Sequence, residues 1–352
     1  LTVENINLQL GEPYYVTASM NVTETTLSGV VVSGKRSRLG ADKTGAATNV
    51  GQRQIATLPT ISRSISDFTR LTPQANGSSF AGRDGRYNNI QVDGANLNNN
   101  FGLSSDPLPG GGNQPISLDA FDEISINIAP FDVRQAGFTG AGINAVTRSG
   151  TNDIEGSYYQ TQRDNSSRYV GNKAAGVPVV ASKFDEKVSG FRLGAPIIKN
   201  KLFIFGNYET LERTEPGTTW FSTGSPIATG TQISRTTYTD METLSNFMKD
   251  KFGYTTGAWE GYSNANKSEK FLVRLDWNIN DKHKLTARYV QHDSEAEINI
   301  SNSNSAGQGN RTTQQLSMAF ANSGYIIMDN TRSYVLELNS KLSNTLHNSL
   351  IV

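Results

Sequence analysis

Beyond residue 150 the sequence alternates, residue by residue, between an apolar face and a face that carries full charges. In the stretch FLVRLDWNI, one face carries Arg274 and Asp276, and the other carries Phe271, Val273, Leu275 and Trp277. A period of two is typical of a β-strand, because successive side chains point to opposite faces of a sheet. Each strand must therefore meet an apolar environment on one side and a polar environment on the other.

The alternation predicts seven strands, at about 153–163, 184–197, 202–213, 269–279, 284–295, 331–341 and 345–352. The connections 198–201, 280–283 and 342–344 are tight, whereas 164–183, 214–268 and 296–330 are long. Outer-membrane barrels have short turns at one end and long loops at the other. A soluble β-sandwich has no reason to place every long loop at one end, so the pattern favours a barrel.

Seven strands cannot close such a barrel. An open sheet edge in lipid leaves N–H and C=O groups unpaired, and each unpaired group costs several kcal/mol. We therefore expect further strands beyond Val352, and plugged outer-membrane transporters have about 22 strands in total. The chain also begins with Leu1 rather than Met, which we interpret as a piece of a longer polypeptide.

Composition argues against several classes of function. Lys and Arg total 32, as do Asp and Glu, so the zero net charge gives no case for a nucleic-acid partner. Cysteine is absent, which removes disulfides and thiolate chemistry. His283, His292 and His347 lack metal-ligand spacing, and no nucleophile–base pair stands out. We expect no catalytic residue, no metal, no cofactor and no enzymatic activity.

Residues 45–150 have the mixed texture of a small α+β domain. Two segments predict a tight hairpin and a short helix followed by a strand, namely NNIQVDGANL and ISLDAFDEISINIAP. Helical spacing predicts short helices that end before Pro73, with apolar positions at Ile55, Leu58, Ile61, Ile65, Phe68 and Leu71.

A glycine-rich run leads from this domain into the first long strand. Its segment 140–145 fits the dinucleotide fingerprint G-x-G-x-x-A. That fingerprint requires a strand before it and a helix after it, whereas strand-like alternation follows here. We interpret Gly137, Gly140 and Gly142 as positions that allow positive φ and close backbone approach. Gly150 is the point where the chain passes into the first strand.

Four segments resemble the TonB-dependent outer-membrane receptors, and most of all the Oar-type branch of Bacteroidetes and myxobacteria. FAGRDGRYNNIQVDGANL resembles a stretch of the receptors' plug, and DEISINIAPFDVRQAGFTGAGINAVTRSGTNDIEGSYY resembles the closing segment of the plug and its exit. FRLGAPIIKNKLFIFGNYE and SYVLELNSKLSNTLHNSLIV resemble barrel hairpins.

The resemblance implies an α+β plug domain inside a transmembrane antiparallel β-barrel, with about seven of 22 strands present. The plug would comprise 45–150 and the first part of the barrel 151–352. Residues 1–20 resemble the end of a carboxypeptidase-regulatory-like β-domain, and 21–44 correspond to a TonB-box segment and linker.

The resemblance also implies a partner. TonB, working with ExbB and ExbD, pairs as an added strand with a short β-prone box ahead of the plug. The candidate box consists of Leu27, Ser28, Gly29, Val30, Val31, Val32 and Ser33. An ordinary edge strand of the preceding domain is the alternative interpretation.

Substrate would meet plug loops that point outward. By resemblance these loops contain Arg83, Asp84, Asn98, Asn99, Asn100 and Phe101. A plain solvated turn is the alternative, because Asn and Asp are common turn formers.

The long connection 214–268 is a second candidate for ligand or partner contact. Exposed aromatic side chains on a long loop suit such a role, and it contains Trp220, Phe221, Tyr238, Tyr254, Trp259 and Tyr262. Its stretch DMETLSNFMKDKFG predicts a helix that packs against the rest of the protein.

We expect an outer-membrane receptor that binds an extracellular substrate, such as a peptide or protein, and passes it through the barrel. All three long connections should lie outside, because the first strand runs outward from a periplasmic plug exit. Two alternatives remain open: a scaffold or secretion-associated barrel that docks other proteins through its loops, and a soluble β-rich adhesin.

Overall fold

The computed structural model describes residues 46–60, 63–98, 113–130, 135–166, 173–174, 177–178, 183–228, 232–301 and 311–352. The chain divides into two compact units. The plug unit lies within Leu1–Pro109 and Ser117–Arg148, with Leu350–Val352; the wall unit comprises Gly110–Ile116 and Ser149–Ser349. The seven residues of the candidate TonB box, together with Asn99, Asn100 and Phe101, lie outside the described residues.

The plug unit is an α+β structure. Its elements are β1 (Ala46–Gly51), α1 (Gln52–Thr57), α2 (Ile65–Thr69), β2 (Ala75–Asn76), β3 (Ser79–Phe80), β4 (Asn89–Val92), β5 (Ala95–Asn96), β6 (Phe121–Ile128) and β7 (Gly142–Thr147), with 3₁₀ turns at Gly85–Tyr87 and Leu118–Ala120. Its main sheet has the order β1-β6-β7-β4-β5. Strand β7 pairs parallel with β4 and antiparallel with β6. The core between sheet and helices includes Val50, Ile55, Phe68, Ile90, Ile124 and Ile143, all buried.

The predicted hairpin is confirmed. Strands β4 and β5 are antiparallel, with Val92 opposite Ala95. Asp93 and Gly94, between them, have φ angles of 47° and 79°. Positive φ at both central residues is the geometry that Asp-Gly favours in a two-residue turn.

The predicted helices form, but as two separate short segments. Leu58 has extended backbone angles (φ −75°, ψ 137°), and α1 ends just before it. The cause is Pro59, whose ring disfavours helical angles at the preceding residue. Leu71 lies beyond the end of α2 and is 43% exposed, so it is outside the core that the helical spacing predicted.

The wall unit is dominated by one antiparallel sheet. Its elements are β8 (Glu155–Asp164), β9 (Lys173–Ala174), β10 (Val177–Pro178), β11 (Asp185–Ile198), β12 (Leu202–Pro216), β13 (Phe221–Thr223), β14 (Ile233–Thr237), α3 (Tyr238–Phe252), β15 (Ser263–Asn280), β16 (His283–Ile298), β17 (Tyr325–Lys341) and β18 (His347–Ile351), with a 3₁₀ turn at Ala321–Ser323. Among the described residues, no helix has the length and apolarity to cross a membrane.

All seven predicted long strands are confirmed. In the sheet they follow chain order, β8-β11-β12-β15-β16-β17-β18. Strands β15 and β17 each begin about six residues earlier than the sequence pattern predicts. In the extra segment of β15 the apolar alternation fades, because Ser263 and Lys267 occupy the face that is apolar further along. The extra segment of β17 keeps apolar Ile326 and Met328 on its exposed face.

The polarity of this sheet is the reverse of that in a soluble protein. On β15, Phe271, Leu275 and Trp277 are 40%, 38% and 47% exposed. On the opposite face, Lys270 and Glu209 are buried. Soluble domains seldom expose a large contiguous apolar surface while they bury charge. A barrel wall with lipid outside and a polar interior has this arrangement.

A row of aromatic side chains crosses the exposed face of six strands. Its members are Tyr158, Phe191, Tyr208, Phe271, Tyr289 and Tyr334. The first four lie opposite one another on successive strands, and the rings of Tyr289 and Tyr334 are 4.8 Å apart. Toward the tight turns the same face is apolar, whereas toward the long connections it carries charges such as Lys187, Glu212 and Glu295. The row therefore has the position of an aromatic girdle at a membrane interface.

Leu275 lies between the aromatic row and the tight turns, so arginine there should be costly. We expect Leu275→Arg to lower the free energy of unfolding by about 2–4 kcal/mol, measured by urea denaturation of the full-length protein in lipid vesicles. Glu295→Arg is the matched control, on the same face beyond the row, with an expected change within about 0.5 kcal/mol. Equal losses in the two variants would contradict the assigned lipid face.

Candidate functional site

Of the two predicted plug-loop residues at 83–84, one has a clear structural role. Asp84 Oδ1 accepts hydrogen bonds from Arg86 N and Arg86 Nε, both at 3.0 Å, and so caps the 3₁₀ turn. The hydrogen bond from the Arg86 side chain lowers the pKa of Asp84, so this carboxyl stays ionised at neutral pH. Arg83 is exposed, which suits contact with a ligand.

Asn98, also predicted to meet substrate, instead holds the hairpin in place. Its Oδ1 accepts from Ile90 N at 2.8 Å, and its Nδ2 donates to Asn89 Oδ1 at 2.7 Å. Asn89 in turn donates to the carbonyl of Ala136 at 2.9 Å. Both polar ends of the Asn98 side chain are therefore engaged within the plug unit.

Sequence reasoning missed a well-connected residue of this hairpin, Asp93. Asp93 accepts hydrogen bonds from Thr147 N at 2.8 Å and from Thr147 Oγ1 at 2.6 Å. The turn is thereby tied to the end of β7, the last strand of the plug unit. The Asp-Gly pair indicated the turn, but nothing in the sequence indicated a partner 54 residues away.

The three plug-exit glycines serve different needs. Only Gly137 has a positive φ, of 82°. At Gly140 an added Cβ would overlap Asn88 Oδ1, and at Gly142 it would lie 2.8 Å from the Phe138 ring. The expectation of positive φ is therefore wrong for Gly140 and Gly142. These two positions need glycine because neighbouring side chains occupy the space.

Ser149 and Gly150 fix the beginning of the wall unit. Ser149 Oγ donates to Asp276 Oδ2 at 2.7 Å. The same carboxylate accepts from Arg274 Nε at 2.9 Å and from Thr286 Oγ1 at 2.9 Å. Gly150 packs against the strand backbone, where an added Cβ would overlap the carbonyl oxygen of Ile204.

Gly150→Ala should destabilise the protein, because backbone atoms cannot move aside as a flexible side chain can. We expect a loss of about 1–3 kcal/mol in the free energy of unfolding, measured by urea denaturation in lipid. Gly206→Ala on β12 is the control, since its added Cβ would meet nothing closer than 4.0 Å. A cost at Gly206 as large as that at Gly150 would argue against close packing as the reason for Gly150.

A buried charged cluster lies on the polar face of the wall. Lys270 Nζ is 2.6 Å from Glu209 Oε1, with side-chain exposures of 6% and 1%. The Tyr159 hydroxyl donates to the other oxygen of Glu209. His292, fully buried, lies opposite Lys270, and its Nε2 is 3.3 Å from Ser268 Oγ. The cluster thus links four strands, β8, β12, β15 and β16, and spans β11, which lies between β8 and β12.

Sequence reasoning did not single out this cluster. Glu209 and Lys270 occupy ordinary positions of the polar face. Only the strand register, which places Glu209 opposite Lys270, pairs them.

Removing one partner of this ion pair should be costly, because the other charge remains buried. We expect Lys270→Met to lower the free energy of unfolding by about 3–5 kcal/mol, and Glu209→Leu/Lys270→Met to recover most of that loss. Glu215→Gln breaks an exposed pair with Arg213 and should cost at most about 1 kcal/mol. The pairing would be contradicted if the double variant lost as much as the two single changes added together.

The long connections 217–262 and 299–324 pack together, and we call their described residues the loop module. Arg235 N donates to Gln315 O at 2.8 Å, and Ala321 N donates to Ala258 O at 2.7 Å. The Trp259 ring lies 5.1 Å from Tyr238 and 6.0 Å from Phe320, between centroids. Two loops that are distant in sequence therefore form one packed structure.

The aromatic side chains of 214–268 are less exposed than the sequence suggested. Tyr254 is 42% exposed, but the other five are only partly exposed: Trp220, Phe221, Tyr238, Trp259 and Tyr262. Several of them hold the module together by ring contacts and wall packing. The expectation of freely exposed aromatics is therefore wrong for most of this set.

The predicted helix in this connection forms as α3 but packs little. Thr237 caps its start, and Gly253, with φ 66°, ends it in the left-handed conformation. Met241 is its buried residue, whereas Leu244, Phe247 and Phe252 are 47%, 52% and 65% exposed. The expectation that α3 is mainly a packing element is wrong, because most of its apolar side chains are uncovered.

A cavity of about 300 Å³ opens within the loop module, at the ends of β12, β15 and β16. None of its lining residues carries a formal charge. They are Pro216, Gly217, Thr218, Thr219, Trp220, Tyr262, Asn299, Ile300, Thr312, Thr313, Ala319 and Phe320. Volumes of this size lie at the lower end of ordinary ligand pockets, about 300–1,000 Å³.

An α+β unit that leads into an antiparallel sheet with an exposed apolar face defines a class, the plugged barrels of the outer membrane. The family model described as "Outer membrane beta barrel domain" matches residues 146–348, more than half of the chain. The chain belongs to this family, and the protein resides in the bacterial outer membrane.

Known proteins of this class are similar to the chain. The TonB-dependent transporter Oar of Myxococcus xanthus is 24% identical over 238 residues, which cover 64% of this chain and 20% of Oar. The solved outer-membrane transporter YddB of Escherichia coli has a TM-score of 0.55 at 13% identity, covering 85% of this chain and 37% of that one. The ferric enterobactin receptor PfeA of Pseudomonas aeruginosa, solved with enterobactin, has a TM-score of 0.55 at 14% identity, covering 87% and 40%.

The structural likenesses show the fold class, an α+β plug domain with part of a transmembrane antiparallel β-barrel. The homology supports a TonB-dependent receptor at the level of the family. The chain spans one fifth of the length of Oar and two fifths or less of the two solved proteins.

Proposed function

We propose that this chain is the plug and first part of the barrel of an Oar-like, TonB-dependent receptor, which binds an extracellular substrate and passes it through the barrel. The observation that carries the proposal is the reversed polarity of the seven-stranded sheet, joined to an α+β unit of plug type. Similarity to Oar supports the TonB dependence. The role is binding and gating rather than catalysis.

Substrate first contacts the outer surfaces. The loop module offers a cavity and uncovered apolar side chains, and Arg83 offers an exposed cation in the plug unit. The loop module belongs to long connections, which all lie on the outer side if the first strand runs outward. Binding there needs no energy source, so it precedes the pull from the periplasm.

Energy then enters through the candidate TonB box, Leu27–Ser33. TonB, driven by ExbB and ExbD, pairs with this segment through backbone hydrogen bonds and pulls on it. The first described element after the box is β1, an edge strand of six residues that pairs only with β6. Val50 is its one buried residue, so few apolar contacts oppose detachment.

The other end of the plug is anchored. Ser149 and Gly150 are fixed on the wall strands by the Asp276 hydrogen bond and by backbone packing. A pull applied before Ala46 therefore acts against a fixed exit, and β1 is the element that yields first. Loss of β1 opens one edge of the plug sheet while the wall remains intact.

Proline in the candidate box should abolish energised transport. Replacing Val30, Val31 and Val32 with proline removes three backbone N–H donors and blocks strand addition. We expect loss of uptake and loss of cross-linking to TonB in whole cells, with substrate binding unchanged. Threonine at the same three positions is the matched control, because it keeps both the N–H groups and β propensity.

Continued uptake with the proline variant would contradict energisation through this segment. Substrate binding without any uptake by the unaltered protein would instead favour the second candidate function, a barrel that docks proteins through its loops without transport. The uncovered Leu244, Phe247 and Phe252 on α3 are the observation that favours docking.

Locking β1 onto β6 should also block transport. Ala47 lies opposite Asn127 in this pair, and the chain contains no cysteine that could compete. We expect Ala47→Cys/Asn127→Cys to stop uptake under oxidising conditions and to regain it after reduction. Either single cysteine variant is the control, and full uptake by the oxidised double variant would exclude detachment of β1 as a required step.

A further inference from the structure

Three of the residues that line the loop-module cavity lie at the ends of wall strands. Pro216 ends β12, Tyr262 immediately precedes β15, and Asn299 immediately follows β16, so three neighbouring wall strands position three lining residues. Since these strands pair continuously, their ends cannot move independently. The site is therefore built on the wall and not only on loops.

Hydrogen bonds hold the polar lining in place. Asn299 Nδ2 donates to Gly217 O at 2.6 Å, and Asn299 Oδ1 accepts from Asn264 Nδ2 at 3.0 Å. The Tyr262 ring lies so close to Gly217 that any side chain there would overlap it. Burial raises the pKa of Tyr262, which keeps its hydroxyl neutral. A preformed site of this kind loses little entropy when it binds a ligand.

Two hydroxyl groups of the lining are available as donors. Thr218 Oγ1 accepts from Trp220 N at 3.1 Å, and Thr313 Oγ1 accepts from Ala319 N at 3.0 Å. Within the described part of the chain, neither hydroxyl proton has an acceptor. Each of these threonines can therefore donate a hydrogen bond to an oxygen of the ligand.

The lining selects against charged ligands. Among the described residues that line the cavity there is no Asp, Glu, Lys, Arg or His, so a charged ligand group would lose its hydration there without a compensating partner. Anionic chelates and charged peptide side chains are thus disfavoured. A backbone segment of a neutral peptide is also a poor fit, because it needs a strand edge or a groove to pair its successive N–H and C=O groups.

Sugars have the chemistry that this lining complements. A sugar ring presents an apolar C–H face that can stack on Trp220, Tyr262 or Phe320, and hydroxyls that pair with threonine and amide groups. We propose that the cavity binds a neutral carbohydrate, with one or two sugar rings in the pocket. This inference rests on the proposed receptor function and names the class of its substrate.

An array of neutral oligosaccharides, sialylated oligosaccharides and uncharged peptides tests the proposal on full-length protein in detergent. We expect a neutral oligosaccharide to bind, and its Kd to rise at least tenfold in Trp220→Ala and about threefold or more in Thr218→Val/Thr313→Val. Phe252→Ala, which removes an exposed aromatic of the loop module outside the cavity, should leave the Kd unchanged.

Three results would overturn the proposal: no neutral oligosaccharide binds, only sialylated oligosaccharides or peptides bind, or both cavity variants retain the parental Kd. Binding in detergent does not involve TonB, so the triple proline variant should bind the same oligosaccharide with unchanged affinity. Box-dependent uptake without oligosaccharide binding would remove only the carbohydrate assignment. Oligosaccharide binding with box-independent uptake would remove only the energised mechanism.

Discussion

Backbone pairing across the wall sheet is the constraint from which the other features follow. In lipid, each N–H and C=O group must find its partner within the protein, and β8, β11, β12, β15, β16 and β17 form antiparallel pairs with their neighbours along most of their length. Since pairing fixes the register, every second side chain must face lipid. The aromatic row and the apolar surface toward the tight turns are the result.

The same register determines what the polar face can hold. Glu209 and Lys270 are directly opposite each other, so their charges compensate in a buried position. Asp276 likewise accepts hydrogen bonds from Arg274, Thr286 and Ser149, which fixes the beginning of the wall unit. At the long-connection end, the paired ends of β12, β15 and β16 fix the positions of three residues that line the loop-module cavity. The anchored chain after the plug and the cavity thus both depend on strand pairing.

The sequence predicted the periodic part of this structure well. All seven wall strands and the Asp-Gly hairpin were identified, because alternation and turn chemistry are local signals. The start of β15 was missed where polar residues replace apolar ones on the outer face, as at Lys267. The short helices were also predicted, and the end of α1 before Leu58 has a local cause in Pro59.

Features that depend on contacts distant in sequence were not predictable in the same way. The Asp93–Thr147 bonds, the Glu209–Lys270 pair and the packing of Trp259 against Phe320 each join segments more than 50 residues apart. Asn98 illustrates the same limit: resemblance predicted a substrate-facing loop residue, and the sequence did not indicate the two hydrogen bonds that engage its side chain within the plug unit. Resemblance identified the family, but only the register and the loop contacts locate the charged cluster and the cavity.

Labelling of single cysteines in intact cells tests the topology most directly, because these 352 residues contain no cysteine. Ala228→Cys places an exposed thiol in the loop module, and Asp281→Cys places one in a tight turn. A membrane-impermeant maleimide should modify the cysteine at 228 in whole cells, and the cysteine at 281 only after the outer membrane is opened. Modification at 281 but not at 228 in whole cells would contradict the outward placement of the long connections.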